Sequence, residues 1–199
     1  MLLWINGPFG VGKTQVAYEL HRRLPGSFVC DPEHLGFALR RMLPEPMRGD
    51  FQDLALWRRG VHEMLDSVVR GFDGTVIVPM TVVEPAYHRE MAGALRASGH
   101  DVRHFALLAH PRTVRRRLRG RVMPLMRGDS WAVQQIDRCL EALRRPEFER
   151  HVATDGRTVP EVAELIAREA GVTPAPSSDG RVTHYLRRQW VSAKHIRFD

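Results

Sequence analysis

The chain has 199 residues, 43% of them hydrophobic and 27% charged, with 30 Lys and Arg against 23 Asp and Glu for a net charge of +7. That balance fits one globular domain plus a small appendage, and it excludes collagen-like, low-complexity and wholly disordered chains. Two cysteines, Cys30 and Cys139, make neither a disulfide scaffold nor a four-ligand zinc site, and no run approaches the ~20 apolar residues of a membrane-spanning helix.

Residues 2–6 are apolar without a period, the pattern of a strand buried on both faces. A glycine-rich stretch follows at 7–12. Val16, Ala17, Leu20 and Leu24 then place a helical stripe on 14–24, stopped by Pro25-Gly26. Residues 27–31 read as a second strand. Leu35, Ala38, Leu39 and Met42 predict a short helix ended at 44–46, and Leu54, Trp57, Val61, Met64, Leu65 and Val68 a longer one closed by Gly71. The β-branched, apolar residues 75–80 predict a third strand. Tyr87, Met91, Ala94, Leu95 and Ser98 share a helical face, with Gly99 as C-terminal cap. A fourth strand at 102–109 precedes an arginine-dense helix at 111–121, a loop at 123–129 and a helix at 131–145. Residues 151–154 give a fifth strand, and Thr158-x-x-Glu161 is a capping box before a helix over 162–170 ended by Gly171.

Strands alternating with helices predict a three-layer α/β domain over 1–171, a doubly wound parallel sheet covered on both faces. Residues 172–180 read as a linker and 181–199 as a basic tail. There is no internal repeat. The opening residues lack the basic stretch and the apolar length of a signal peptide, so cytoplasmic placement is expected.

The segment Gly7-Pro8-Phe9-Gly10-Val11-Gly12-Lys13-Thr14 matches the phosphate-loop pattern G-x-x-x-x-G-K-[ST]. Its glycines let successive backbone N–H groups point into one concavity, and the helix it opens adds unpaired donors and a dipole that favours anions. Lys13 would reach the β- and γ-phosphates of ATP, and the Thr14 hydroxyl would ligate Mg²⁺. Position reinforces the match, because the motif follows a strand and opens a helix. No guanine-recognition segment and no apolar strand ending in Asp-Glu accompanies it, which argues against a GTPase or a motor ATPase.

In a doubly wound sheet the C-terminal ends of the strands face the ligand crevice. Asp31, closing the second strand, is read either as a group that accepts a proton from an acceptor hydroxyl, or orients Mg²⁺ through water, or as a helix N-cap. Glu33 on the same turn, and Thr81 and Glu84 after the third strand, would line the crevice mouth as substrate-binding residues. Six arginines crowd 112–121; Arg117 and Arg121 share a helical side and precede a Pro-containing loop, so a lid over about 117–129 could close on the phosphates. The rest would form a solvated basic face. Asp155, after the fifth strand, would sit near the adenine.

The charge opens three partner classes: nucleic acid, an anionic small molecule and a membrane surface. Nothing resembles a helix-turn-helix or an aromatic-interleaved basic pattern, so nucleic acid is not expected. Val182, Tyr185, Leu186 and Trp190 fall on one helical face among Arg181, Arg187, Arg188 and Lys194, the composition of an interfacial helix at a membrane, or of a tail docked on its own core or a partner subunit. Oligomeric state has no signature.

On the residues 4–14, Asp31-Pro-Glu33 with Gly36, and 76–81, the chain resembles small P-loop kinases of the shikimate kinase and chloramphenicol phosphotransferase type, and more narrowly the bacterial tunicamycin-resistance proteins, over about residues 1–170. The resemblance implies a nucleoside-monophosphate-kinase-like core of five parallel strands, ATP with Mg²⁺, and a nucleoside-like acceptor, tunicamycin or a related metabolite. It also implies that Asp31 handles the acceptor and that Arg117 and Arg121 are lid arginines, although Arg121-Val-Met-Pro-Leu fits the lid pattern Arg-Pro-Leu-Leu only in part. Catalytic transfer and ATP-dependent binding of the antibiotic without transfer both stay open.

Overall fold

The computed structural model describes residues 1–120, 128–148 and 150–176. Five strands, β1 (Leu2–Asn6), β2 (Phe28–Val29), β3 (Val76–Pro79), β4 (Val102–Leu108) and β5 (Arg150–Ala153), form one all-parallel sheet in the order β2-β3-β1-β4-β5. Crossovers on both faces supply the helices α1 (Lys13–Arg23), α2 (Glu33–Met42), α3 (Ala55–Gly71), α4 (Pro85–His88), α5 (Ala94–Ala97), α6 (Pro111–Arg119), α7 (Gly128–Leu143) and α8 (Val159–Glu169). The expected doubly wound α/β architecture is what forms.

β1 shows why its sequence has no period. All five of its residues are buried, and alternate side chains serve opposite layers. Leu3 and Ile5 pack with Val16, Leu20, Leu118, Leu140 and Ile166, whereas Leu2 and Trp4 pack with Trp57, Val61, Leu65, Met91 and Leu95. The capping box forms as read, with the Thr158 side chain accepting from the Glu161 N–H and the Glu161 carboxylate accepting from the Thr158 N–H.

Several boundaries differ. β2 is two residues long, not five. The Cys30 N–H still donates to the Ile77 carbonyl at 2.9 Å, but the next two rungs would need N–H groups at residues 79 and 32, and Pro79 and Pro32 have none. The helix expected around 87–98 begins at Pro85 and contains a widened π turn, Arg89–Gly93, between α4 and α5. Of the stripe expected there, Met91 and Leu95 are buried, Tyr87 and Ala94 half-buried and Ser98 exposed, while His88 and Ala92 are buried in addition. α6 ends at Arg119 rather than at 121.

The start of the presumed linker belongs to the domain. The Ala175 N–H donates to the Arg23 carbonyl and the Arg23 guanidinium to the Ala175 carbonyl, both at 2.7 Å, while Arg23 also pairs with Glu164 of α8. Arg121, most of the expected lid and the expected tail helix from 181 lie outside the described residues. Among the described residues, no helix is long and apolar enough to cross a membrane.

Candidate functional site

β1 is the middle strand, so the loop leaving it sits at the centre of the sheet's C-terminal edge. The ends of β3 and β2 lie to one side of it and those of β4 and β5 to the other.

The loop is shaped by backbone that side chains would obstruct. Gly10 has φ 80°, and a Cβ there would fall 2.5 Å from the Leu118 side chain of α6. Gly12, the N-cap of α1, has φ 112° and open space where a Cβ would stand. No side chain caps α1 and no acidic residue occupies its first turn, so the leading N–H groups and the dipole are aimed into an uncluttered cup. The chain from Gly7 through Thr14 wraps this cup. Lys13 is buried, its Nζ 3.2 Å from the Pro8 carbonyl and 5.5 Å from the centre of the Phe9 ring. A polyphosphate fits this donor set. Among the described residues no group of three or more His, Cys, Asp or Glu could hold a metal ion.

On the β2–β3 side, Asp31, Glu33 and Thr81 come together. Asp31 Oδ1 accepts the Glu33 N–H at 3.0 Å from one residue before the α2 N-cap, which is Pro32 and not Asp31. Glu33 is 5% exposed and its Oε1 accepts the Thr81 N–H at 3.1 Å. The Thr81 hydroxyl oxygen is buried with no hydrogen-bond partner among the described residues. Glu84 does not join this group. It stands exposed at the start of α4, where its carbonyl accepts the His88 N–H.

The segment 45–53 connects α2 to α3. Phe51 packs on Phe37 and Trp57, at 5.5 and 5.1 Å between ring centres, and Trp57 donates to the Pro32 carbonyl. Gly36 is required by this packing, since a Cβ there would meet the Phe51 ring at 2.5 Å. Burial raises the Asp50 carboxyl above its usual range, partly opposed by its bond from the Gln52 N–H and by the Arg138 charge, while Glu33 adds to the rise. Burial likewise raises the Cys139 thiol, against Arg138 and Lys13. Asp50 and Cys139 are therefore both within electrostatic reach of Arg138, Asp50 also of Glu33 and Cys139 also of Lys13. None of the three was singled out by spacing, and their sequence offers no local signal.

On the β4–β5 side, Arg117 acts as a strut. Its Nη1 donates to the Val11 carbonyl at 2.9 Å and to Thr154 Oγ1 at 2.8 Å, and its Nη2 to the Thr154 carbonyl at 2.8 Å. It holds the phosphate loop to the turn after β5. Asp155 on that turn accepts the His110 N–H at 2.7 Å; bonds from the Thr113 hydroxyl and from His110 hold its carboxyl below the usual range. Asp155 is thereby placed beside the loop and also anchors the N-terminus of α6.

Sequence reasoning also passed over Asn6. Wholly buried, it accepts the Gly7 N–H at 2.8 Å and the Val82 N–H at 3.0 Å and donates to the Val82 carbonyl at 2.7 Å. The available signal was a polar residue ending an apolar strand.

The chain matches the AAA domain over residues 2–146. Among solved structures, the tunicamycin resistance protein of Deinococcus radiodurans is 38% identical, with a TM-score of 0.74, covering 88% of this chain and 99% of that one. A sugar kinase from Janibacter sp. HTCC2649 is 18% identical with a TM-score of 0.62, covering 88% and 98%. A shikimate kinase from Bacteroides thetaiotaomicron is 20% identical with a TM-score of 0.56, covering 86% and 99%; at these identities the likeness is one of fold. No match was found among curated proteins.

Proposed function

The chain belongs to the AAA-domain family and to the family of the tunicamycin resistance protein, a group with the P-loop kinase fold, and from that premise we propose that it is an ATP-dependent small-molecule phosphotransferase whose acceptor is a nucleoside-like antibiotic, tunicamycin or a close relative. One observation carries the reading. The phosphate cup lies at the centre of the sheet edge, with the carboxylates of Asp31 and Glu33 on its β2–β3 side and the Arg117–Asp155 turn on its β4–β5 side. That arrangement gives a γ-phosphoryl group an acceptor on one side and the rest of its nucleotide on the other.

Phosphoryl transfer asks little covalent work of the protein, so its residues act by positioning and charge. The loop N–H groups and Lys13 hold the β- and γ-phosphates, and Asp155 and the turn that Arg117 secures flank the base. Mg²⁺ held at the Thr14 hydroxyl would neutralise phosphate charge. The acceptor hydroxyl oxygen attacks the γ-phosphorus in line, the bond from that phosphorus to the bridging oxygen breaks, ADP leaves, and Asp31 receives the hydroxyl proton. Glu33 and Thr81 fix the acceptor's orientation.

Incubation with ATP, Mg²⁺ and tunicamycin should yield a product heavier by one phosphoryl group. Lys13→Ala should slow its formation by roughly 10²-fold or more, the scale of losing one preorganised charge-stabilising donor. If nucleotide and antibiotic both bind and no phosphorylated product forms, sequestration without transfer replaces this reading. If Mg-ATP does not bind, both fall.

A further inference from the structure

Beyond the groups used above, the interior holds a hydrogen-bonded path that starts at the phosphate loop. Asn6, His104 and Phe148 are each 0% exposed. The Asn6 amide can be oriented only one way, because the N–H groups of Gly7 and Val82 are donors and both reach the same atom, Oδ1. Nδ2 then donates one hydrogen to the Val82 carbonyl and lies 3.2 Å from His104 Nε2.

The histidine is equally determined. Its Nδ1 lies 2.9 Å from the Phe148 carbonyl, which can only accept, so Nδ1 carries the proton and Nε2 offers a lone pair to the second Asn6 hydrogen. Both acceptor lone pairs and both donors of Asn6 are used. The rings of Trp4 and His88, 5.9 and 4.4 Å from that of His104, leave the imidazole no room to turn.

What the path holds matters for the site. Consecutive amides are gripped from opposite sides: Thr81 N–H by Glu33 on the acceptor turn, and Val82 N–H by Asn6 at the root of the phosphate loop. Thr81, whose two flanking peptide groups are held one by Glu33 and one by Asn6, is thus the part shared between the two halves of the crevice. We propose that Asn6, seated by His104, is a positioning residue that locks the root of the phosphate loop to the Thr81–Val82 peptide, so that the nucleotide and acceptor halves keep a fixed spacing. The inference rests on the two-sided site proposed above and adds its linkage.

The test reads the loop without needing an acceptor. His104→Phe keeps the ring but strips Asn6 of its partner, whereas His104→Gln restores one acceptor and one donor. His104→Phe should weaken Mg-ADP binding about fivefold, the scale of coupling within one hydrogen-bond network, and shift the ¹⁵N–¹H resonance of Gly7; His104→Gln should recover most of both. A second arm perturbs the far side: Glu33→Gln should move the Gly7 resonance in the wild-type background and not in His104→Phe. Should His104→Phe not fold, Asn6→Asp, which keeps the volume and Oδ1, takes its place.

Mg-ADP affinities of His104→Phe within twofold of wild type, or an equal effect of Glu33→Gln in both backgrounds, would overturn the linkage and leave a structural pair that only lowers stability. Absence of Mg-ADP binding by the wild type would instead overturn the nucleotide reading, while the Gly7 resonance would still report on the linkage.

Discussion

Replacing Arg117 by methionine separates a strut from a phosphate-binding lid arginine. The side chain is half-buried and makes three bonds, two through Nη1 and one through Nη2, to the Val11 carbonyl and to Thr154. Each Nη carries two hydrogens, so these are three separate N–H donors; at about 1 kcal/mol each for a half-buried group the loss is about 3 kcal/mol. For a chain of this length, about 2–4 °C per kcal/mol gives a fall in Tm of about 6–12 °C. Methionine keeps the stem's packing, so most of that cost comes from the Val11 and Thr154 oxygens. Lysine, a single ammonium without the fork, should recover at most about half. Thermal unfolding and Mg-ADP calorimetry on the same samples decide the matter. The strut predicts a large Tm loss in the ligand-free protein, with weaker nucleotide binding following from a loosened loop. An unchanged Tm with a large loss of nucleotide affinity would refute it and restore Arg117 to direct phosphate contact.

Other substitutions probe separate parts of the argument. Gly36→Ala pushes a methyl to within 2.5 Å of the Phe51 ring; it should cost about 1–3 kcal/mol and weaken acceptor binding while leaving Mg-ADP affinity near wild type, as paired calorimetric titrations would show. Burial, and next the Asp31 charge, push the Cys30 thiol up to about 11 from its model-peptide value of 9.0, so alkylation at pH 8 should run about 100-fold slower than for an unperturbed thiol, and a rate near that of free cysteine would contradict the burial. His104 is held well below 6.5 by burial first and by neighbouring His88 second. The unfolded chain therefore binds the proton before the folded one does, and stability falls as pH drops through 6.5. Between pH 7.5 and 5.5 this amounts to about 1.4 kcal/mol, which urea titrations should find in the wild type and find missing from His104→Gln.

The phosphate loop was legible because its chemistry is local. Eight consecutive residues between a strand and a helix specify the cup, and no distant partner is needed to recognise it. Asn6 and Arg117 stand at the other extreme. Asn6 meets its partner Val82 across 76 positions and His104 across 98, and Arg117 meets Val11 across 106. An arginine in a basic helix invites a phosphate contact on composition alone; that it braces two carbonyls is decided by the approach of α6 to the loop, where Leu118 presses on Gly10. The length of β2 was readable in principle, since Pro32 and Pro79 stand in the sequence, but only once the register Val29↔Ile77 places them at the two rungs that would follow. Likewise, residues 172–176 have a linker's composition and are pinned by Arg23 from α1.

These long-range contacts also say where rate should be sought. A reaction carried by positioning depends on how firmly amides and carbonyls are held, more than on how many cations stand nearby. Of the arginines in α6, Arg115 is already paired with Asp137 on α7, and Arg112, Arg116 and Arg119 are exposed, where a charge contributes little to a site it does not touch. Asn6, Glu33 and Arg117 each grip backbone of the crevice itself: the Gly7 and Val82 amides, the Thr81 amide, and the Val11 and Thr154 carbonyls. Losing one of them should therefore lower stability and site geometry together. Neutralising an exposed arginine of α6 should lower neither.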